Sequence, residues 1–208
     1  MAGRAIVTEW FRTPAAWFLL GEHLNGFGRP VTVWSGACGT GEEAYTAALL
    51  LRMRLSGGSV YATDVDRPNL EVARAGRYPG AALQRQVDEG RMFPSDLEDY
   101  FEDAADGHLR VRPDVRQLVT FGELRLGRDE PPACDAAILR NVWRHISPAE
   151  QRRGVEAVHR ALSADGRLFL GGADLMEPNG YGLLTETEPE GLSRYFQEAE
   201  HPLLWAPR

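Results

Sequence analysis

A strand, a glycine-bearing loop, a helix, a second strand and an acid follow one another between Val31 and Asp66, and that order leaves few folds open. Apolar Val31, Val33 and Trp34 lead into Ser35-Gly36-Ala37-Cys38-Gly39-Thr40-Gly41, and Glu42-Glu43 open the next segment. From Ala44 to Leu55, the residues Ala44, Ala47, Ala48, Leu51 and Leu55 recur at helical spacing, as a helix packed on a sheet requires. Ser56-Gly57-Gly58 ends that helix, and Val60-Tyr61-Ala62-Thr63 reads as a strand running into Asp64-Val65-Asp66. Glycines let the backbone turn tightly and let a ligand approach the amides, and the helix behind them points its positive end at the same place. Asp64, 23 residues beyond Gly41, is placed at a strand tip to bind a ribose hydroxyl pair. The chemistry implied is an adenosine-type cofactor at the carboxyl edge of a parallel sheet. The spacing Gly36, Gly39, Gly41 is not G-x-G-x-x-G, which counts against NAD and leaves other adenosyl cofactors open.

Elsewhere the chain alternates helices and strands. Thr13-Pro14 marks a helix start, with the helix running from Pro14 to about Asn25 and Trp17, Leu20 and Leu24 on one face. Asp66 caps a short helix from Arg67 that Gly76 stops. Ser95-Asp96-Leu97-Glu98 has a capping-box pattern and predicts a helix through Phe101; Leu109 to Arg112 alternates like a strand, with Val115 to Phe121 behind it. The region at about 85–118 reads as a small inserted subdomain, a helix and a strand pair laid over the cofactor side. Asp135 to Leu139 is a central strand running into Arg140-Asn141-Val142. Ser147-Pro148-Ala149-Glu150 is a second capping box, opening a helix with Val155, Val158 and Leu162 inward and Gly166 as its end. Arg167 to Gly171 is a strand, residues 175–191 read as a loop, and Leu192 to Gln197 with Leu203 to Ala206 predict a closing antiparallel hairpin. No internal repeat or second domain is visible. The expectation is one domain over 1–208, with 1–28 as an N-terminal segment and helix, in a three-layer α/β fold.

A chain of 208 residues can bury a full core, and its net charge of −7 argues against nucleic acid or an acidic membrane as a partner. All 23 basic residues are arginine, which a GC-rich coding sequence explains. Cys38 and Cys134 sit in unlike contexts and suggest neither a disulfide framework nor a metal site. No apolar run has membrane-spanning length and no segment reads as a signal peptide, so a cytoplasmic location is expected.

Four motifs together resemble the CheR family, the chemotaxis receptor glutamate O-methyltransferases that use S-adenosylmethionine: Val33 to Glu43, Ala62 to Asp66, Phe11-Arg12 with Thr8 before it, and Arg140-Asn141-Val142. The resemblance implies a Rossmann-like class I methyltransferase sandwich with a mostly parallel seven-stranded sheet. It places Thr8 and Arg12 near the cofactor and the methyl-transfer site, and Glu43 against the cofactor. It puts Asp64 on the ribose, within a cofactor site that includes Gly36, Cys38, Gly39, Gly41 and Val65. Arg125-Leu126 would take the adenine position, and Arg140 and Asn141 would complete the pocket. The insert would match the subdomain that family members use to dock a receptor tail. This sequence departs from the family pattern at Ile6, where an Asn is usual, at Arg125, where Asn-Leu is usual, and at His145, where a Tyr is usual. On this resemblance, the separate N-terminal helical domain of the chemotaxis enzymes is not expected here.

A carboxylate acceptor is ionised at pH 7 and needs no base, whereas an alcohol or ammonium must lose a proton. His145 is therefore a candidate base as well as a candidate packing residue, and Arg12 a candidate clamp for an acceptor carboxylate. Glu42 reads as a helix-capping acid and Cys38 as a loop filler; Trp143 belongs to the pocket wall or the core. From Gly171 to His201 seven acids face one base, Arg194, which reads as a solvated loop or as a negative rim disfavouring an acidic acceptor. The expected function is methyl transfer from S-adenosylmethionine to the O or N of a small-molecule or peptide acceptor. The alternatives are a protein-glutamate O-methyltransferase of chemotaxis-like signalling and a non-catalytic cofactor-binding module. A homodimer is left open.

Overall fold

Helix α1 (Pro14–Asn25) precedes β1 (Val31–Gly36), α2 (Glu42–Arg54), β2 (Gly58–Asp64) and α3 (Arg67–Ala75). A smaller section follows: β3 (Arg77–Pro79), α4 (Gly80–Asp88), α5 (Pro94–Tyr100), β4 (Phe101–Asp103), β5 (His108–Val111) and α6 (Pro113–Arg116). The chain returns through β6 (Val119–Glu123), β7 (Cys134–Leu139), a 3₁₀ turn at Trp143–His145, α7 (Pro148–Ala161) and β8 (Leu162–Leu170). It closes with β9 (Gly172–Glu177), β10 (Gly180–Thr185), α8 (Leu192–Tyr195), β11 (Phe196–Glu198) and β12 (Leu204–Pro207). This computed structural model describes residues 9–54, 57–177, 180–185, 188–201 and 203–208.

Seven strands form the main sheet in the order β11-β12-β8-β7-β1-β2-β6. The pairs β6–β2, β2–β1, β1–β7 and β7–β8 are parallel; β8–β12 and β12–β11 are antiparallel. The chain therefore winds outward from β1 to β2 and β6, then restarts on the other side of β1 with β7 and β8. Strand order reverses at β1/β7, and ligands of open α/β sheets bind beyond the carboxyl ends of strands at such a reversal. Alternation along the strands sends Val33, Ala136, Ile138 and Phe169 into a core shared with α1 and α2. Trp34, Ala137, Leu139, Leu168 and Leu170 face a second core under α7. These are the three layers of a Rossmann-like α/β sandwich.

At the opposite edge, buried Asp135 accepts two hydrogen bonds from the Arg29 guanidinium (3.0 and 2.7 Å), one from the Thr32 amide (3.0 Å) and one from the Ser163 hydroxyl (2.9 Å). Burial would raise this carboxyl, but those donors outweigh it and hold it below its ordinary value.

Local chemistry sets several boundaries. Asp66 accepts from the Asn69 amide at the start of α3, and Gly76, at φ 57°, ends it. Ser147 and Glu150 cap α7 reciprocally. Pro14 does open α1, but Thr13 caps it without a side-chain bond to the helix.

Five expectations need correction. Helix α5 begins at Pro94, with the Asp96 carboxylate accepting from the Phe93 amide (2.7 Å), so the cap lies two residues before Ser95. Helix α7 stops at Ala161, well short of Gly166, because Leu162 already pairs with Cys134 in the sheet. Gly172–Glu177 and Gly180–Thr185 form the antiparallel pair β9–β10, where a loop was expected over 175–191. Residues 192–195 are one helical turn, and the closing hairpin is β11 with β12 alone. The small section holds a three-stranded sheet, β3-β5-β4, in place of a strand pair; Val115 lies in α6, and β6 belongs to the main sheet.

Candidate active site

β1 ends at Gly36, where a Cβ would stand 2.5 Å from Cδ2 of Leu139 and 2.9 Å from the Trp34 ring, so a larger residue there would have to displace those side chains. The loop then turns through positive φ at Ala37 (57°), Gly39 (55°) and Gly41 (98°). It is held to the end of β2: the Cys38 amide donates to the Thr63 carbonyl (2.9 Å), and the Gly39 amide donates to Oδ2 of Asp64 (2.8 Å). Oδ1 of Asp64 accepts from the Asp66 amide (2.9 Å). The acid expected at a ribose thus also pins the glycine loop, and its remaining lone pairs are the ones left for a hydroxyl pair.

A cavity of about 400 Å³ opens beyond these strand ends. Gly36, Cys38, Gly39, Glu43, Asp64 and Val65 line one part of it. Arg125 and Leu126 extend that part after β6, while Arg140, Asn141 and His145 line the β7 side together with Arg12. Of the residues expected at the site, two stand apart. Thr8 lies outside the described residues. Gly41 does not line the cavity; its bare Cα admits α3, whose Ala73 Cβ would be 2.9 Å from a Cβ there. Trp143 is buried in the second core and not on the wall.

Arg140 ties the β7 end to the N-terminal segment. Its guanidinium donates to the Arg12 carbonyl (3.0 Å) and the Thr13 hydroxyl (3.2 Å), and lies 4.8 Å over the Phe169 ring. Its Nε is 4.0 Å from the Glu43 carboxylate, which also accepts from the Ser35 hydroxyl (2.9 Å). Burial pushes the Glu43 carboxyl above its ordinary value, while Arg140, Ser35 and Arg12 pull it down. Glu42 has no such place: its carboxylate accepts from the Thr40 hydroxyl at the start of α2 (2.7 Å). Burial, chiefly, with Asp64 and Glu43 adding to it, drives the Cys38 thiol up, so it is a filler and no nucleophile.

Sequence reading missed several wall or support residues, Asn69, Leu124 and Ile146 among them. Glu9, on the wall, pairs with Nε of Arg12 (3.8 Å) and with Arg91. Its i,i+3 spacing to Arg12 was a signal; Arg91, arriving from the α4–α5 connection, offered none. Arg144 also lines the cavity, and its Nε donates to Nε2 of His145 (3.3 Å). The acid-rich stretch supplies no rim among the described residues: Glu190 pairs with Arg152 (3.7 Å), Glu200 with Arg167, and neither lines the cavity.

The residues present fit an adenosyl sulfonium compound. Gly36 and Gly39 border a space of suitable volume, two carboxylates stand at Asp64 and Glu43, and Val65, Leu124 and Leu126 give an apolar face for a purine. A parallel sheet reversing at β1, a glycine loop on a helix start and an acid at the β2 tip define a Rossmann-like domain for an adenosyl cofactor. Within that class, the description "CheR methyltransferase, SAM binding domain" matches residues 7–188, and the chain belongs to that family; S-adenosylmethionine is its cofactor. The chemotaxis protein methyltransferase of Vibrio parahaemolyticus is 30% identical over 180 residues, covering 80% of this chain and 64% of the relative. That of Escherichia coli is 31% identical over 175 residues, covering 79% and 59%. An uncharacterized 104.1 kDa protein of Rhodobacter capsulatus is 30% identical over 184 residues, covering 82% and 19%. The chain thus spans less than two thirds of the length of each of these relatives. Among solved structures, a TehB-like SAM-dependent methyltransferase from Corynebacterium glutamicum shares 14% identity at a TM-score of 0.48, over 94% of both chains. No helix among the described residues is long and apolar enough to cross a membrane.

Proposed function

We infer that this chain methylates a glutamyl carboxylate of a protein acceptor, with S-adenosylmethionine as donor, in signalling of the chemotaxis type. The expected small-molecule or peptide acceptor finds no support among the relatives, several of which are named chemotaxis protein methyltransferases. When bound, S-adenosylmethionine supplies a methyl on a sulfonium, which a carboxylate oxygen can displace while the C–S electron pair leaves on sulfur.

The observation that carries this reading is the charge of the cavity wall. Arg12, Arg125, Arg140 and Arg144 all line it, against Glu9, Glu43 and Asp64. Glu43 faces Arg140, Glu9 faces Arg12, and Asp64 is occupied by two backbone amides, so the guanidiniums hold the surplus. Such a wall favours an anionic acceptor over an ammonium. An ionised carboxylate needs no proton removed, so alignment and exclusion of water are the work left to the protein. Arg140, bonded to the Arg12 carbonyl, fixes the backbone that carries Arg12 over the cavity.

The test uses the purified chain, methyl-labelled S-adenosylmethionine and a cell extract. Label in protein that mild alkali releases as volatile methanol is expected. A methyl stable to alkali points to an amine or ether and refutes the carboxylate acceptor; cofactor binding with no transfer refutes the enzyme.

A further inference from the structure

Arg12 and Arg140 are engaged by Glu9, Glu43 and backbone oxygen. Arg144 is not. It stands exposed on the turn after β7 and makes no ion pair among the described residues; its Nε donates to Nε2 of His145 at 3.3 Å. A guanidinium is a planar fork of five N–H donors. Tying Nε to the neighbouring ring leaves the Nη1/Nη2 edge for two parallel bonds to one carboxylate. The same bond occupies the Nε2 lone pair of His145, which cannot take a proton there without releasing Arg144.

Arg125 is the other wall arginine with no ion pair among the described residues, but its place differs. It follows β6, between Leu124 and Leu126, on the side of the sheet that carries Asp64 and Val65. Arg144 follows β7, across β1 from that group, on the side with Arg140 and Asn141. The cofactor's nucleoside and the acceptor need opposite ends of the cavity, and the acid at the β2 tip marks the nucleoside end.

We propose that Arg144 binds the carboxylate of the methyl acceptor through its Nη1/Nη2 edge, and that His145 is a positioning residue that holds Nε. The proposal rests on the carboxylate acceptor inferred above and assigns its recognition to a residue pair. No proton moves in the transfer, so His145 has no base to be. Its ring, set where the family pattern has a Tyr, instead fixes the plane of the neighbouring fork.

The full chain, saturated with S-adenosylhomocysteine, is titrated with two end-blocked helical peptides that differ only in a central Glu or Gln. The wild type is expected to bind the Glu peptide about tenfold to a hundredfold more tightly, the range of a charge-assisted pair. Arg144→Gln should remove that preference, Arg144→Lys restore part of it, and Arg85→Gln, an exposed change on α4, leave it intact. In methyl transfer to the Glu peptide, His145→Phe should raise the acceptor KM severalfold and keep kcat. Preference retained in Arg144→Gln, with S-adenosylhomocysteine bound as in the wild type, overturns the proposal and leaves the carboxylate reading standing. Equal or undetectable binding of both peptides by the wild type overturns that reading and the proposal together. A His145→Phe variant whose kcat collapses at unchanged KM overturns the positioning role.

Discussion

Asp64→Asn is the sharpest test of the cofactor half, because it keeps the shape and removes only acceptor capacity. Oδ2 accepts from the Gly39 amide at 2.8 Å and Oδ1 from the Asp66 amide at 2.9 Å. An amide side chain offers one oxygen, so whichever way it turns, an NH₂ group meets one of those backbone N–H groups. One charge-assisted bond is lost, at about 1.5–3 kcal/mol, and the other is weakened by loss of the charge. For a chain of this size each kcal/mol moves Tm by about 2–4 °C, so a fall of roughly 3–12 °C is expected. The same interactions hold the glycine loop that lines the cavity, and the same carboxylate is assigned to the ribose. Affinity for S-adenosylmethionine should therefore fall roughly tenfold to a hundredfold, at about 1.4 kcal/mol per factor of ten. Calorimetric titration reads the second effect and a thermal melt the first. An affinity within twofold of wild type at unchanged Tm refutes both roles of Asp64. A lowered Tm with unchanged affinity refutes the ribose assignment alone.

Three further outcomes can be read in the same way. Arg140→Met leaves Glu43 buried beside a lost counter-charge 4.0 Å away and should cost about 3–5 kcal/mol of stability in urea unfolding. Burial already raises Glu43 in the folded state, so its ionisation opposes folding increasingly as pH climbs above the ordinary value of 4.5, and the variant's deficit should be larger at pH 8 than at pH 5; a pH-independent deficit refutes that account. Gly41→Ala forces a Cβ to within 2.9 Å of Ala73 at φ 98°, and a loss of roughly 1–3 kcal/mol is expected by circular dichroism melting; an unchanged Tm would show that α3 yields. Arg167 donates to both oxygens of Glu200 (3.0 and 2.6 Å) and is the main reason that carboxyl lies at about 2; the stabilisation is present above pH 4.5 and lost as pH falls towards 2, so Arg167→Gln should be less stable than wild type at pH 7 and converge with it near pH 2 in urea titrations.

What could be read from sequence was what local chemistry decides. Asp66, Gly76 and the Ser147–Glu150 box act within one helical turn, and each is where its residue type requires. The error at α5 has the same scale: two acids were eligible, and Pro94, with no N–H to offer, fits the first helical position and selects Asp96 over Glu98. Elements fixed by distant partners were not legible. Ala161 ends α7 because Leu162 is captured by Cys134, 28 residues earlier, and no residue near 161 announces that. β9 and β10 pair only with one another among the described residues, and Gly and Pro nearby read as a loop. In the site, many of the residues on the wall lie in the motifs, but the bonds that decide their roles were not legible. That Arg140 holds the Arg12 carbonyl, 128 positions away, follows only from the fold.

The two ends of the cavity are built differently, and this separates what can vary from what cannot. The end at β1 and β2 is mostly backbone: Ala37 and Gly39 at positive φ, amides bonded to Thr63 and Asp64, and a Gly36 whose Cβ would press on Leu139 and Trp34. Substitution there strains the loop itself. The end at β7 is made of side chains on a three-residue turn, where Trp143 is buried and anchors the turn while Arg144 and His145 are exposed. Arg144 and His145 can be exchanged at little cost to the fold, since neither is part of either core. A domain so built can hold one cofactor and change its acceptor through two positions. If Arg144 and His145 act as proposed above, the departure from the family pattern at His145 belongs to acceptor recognition.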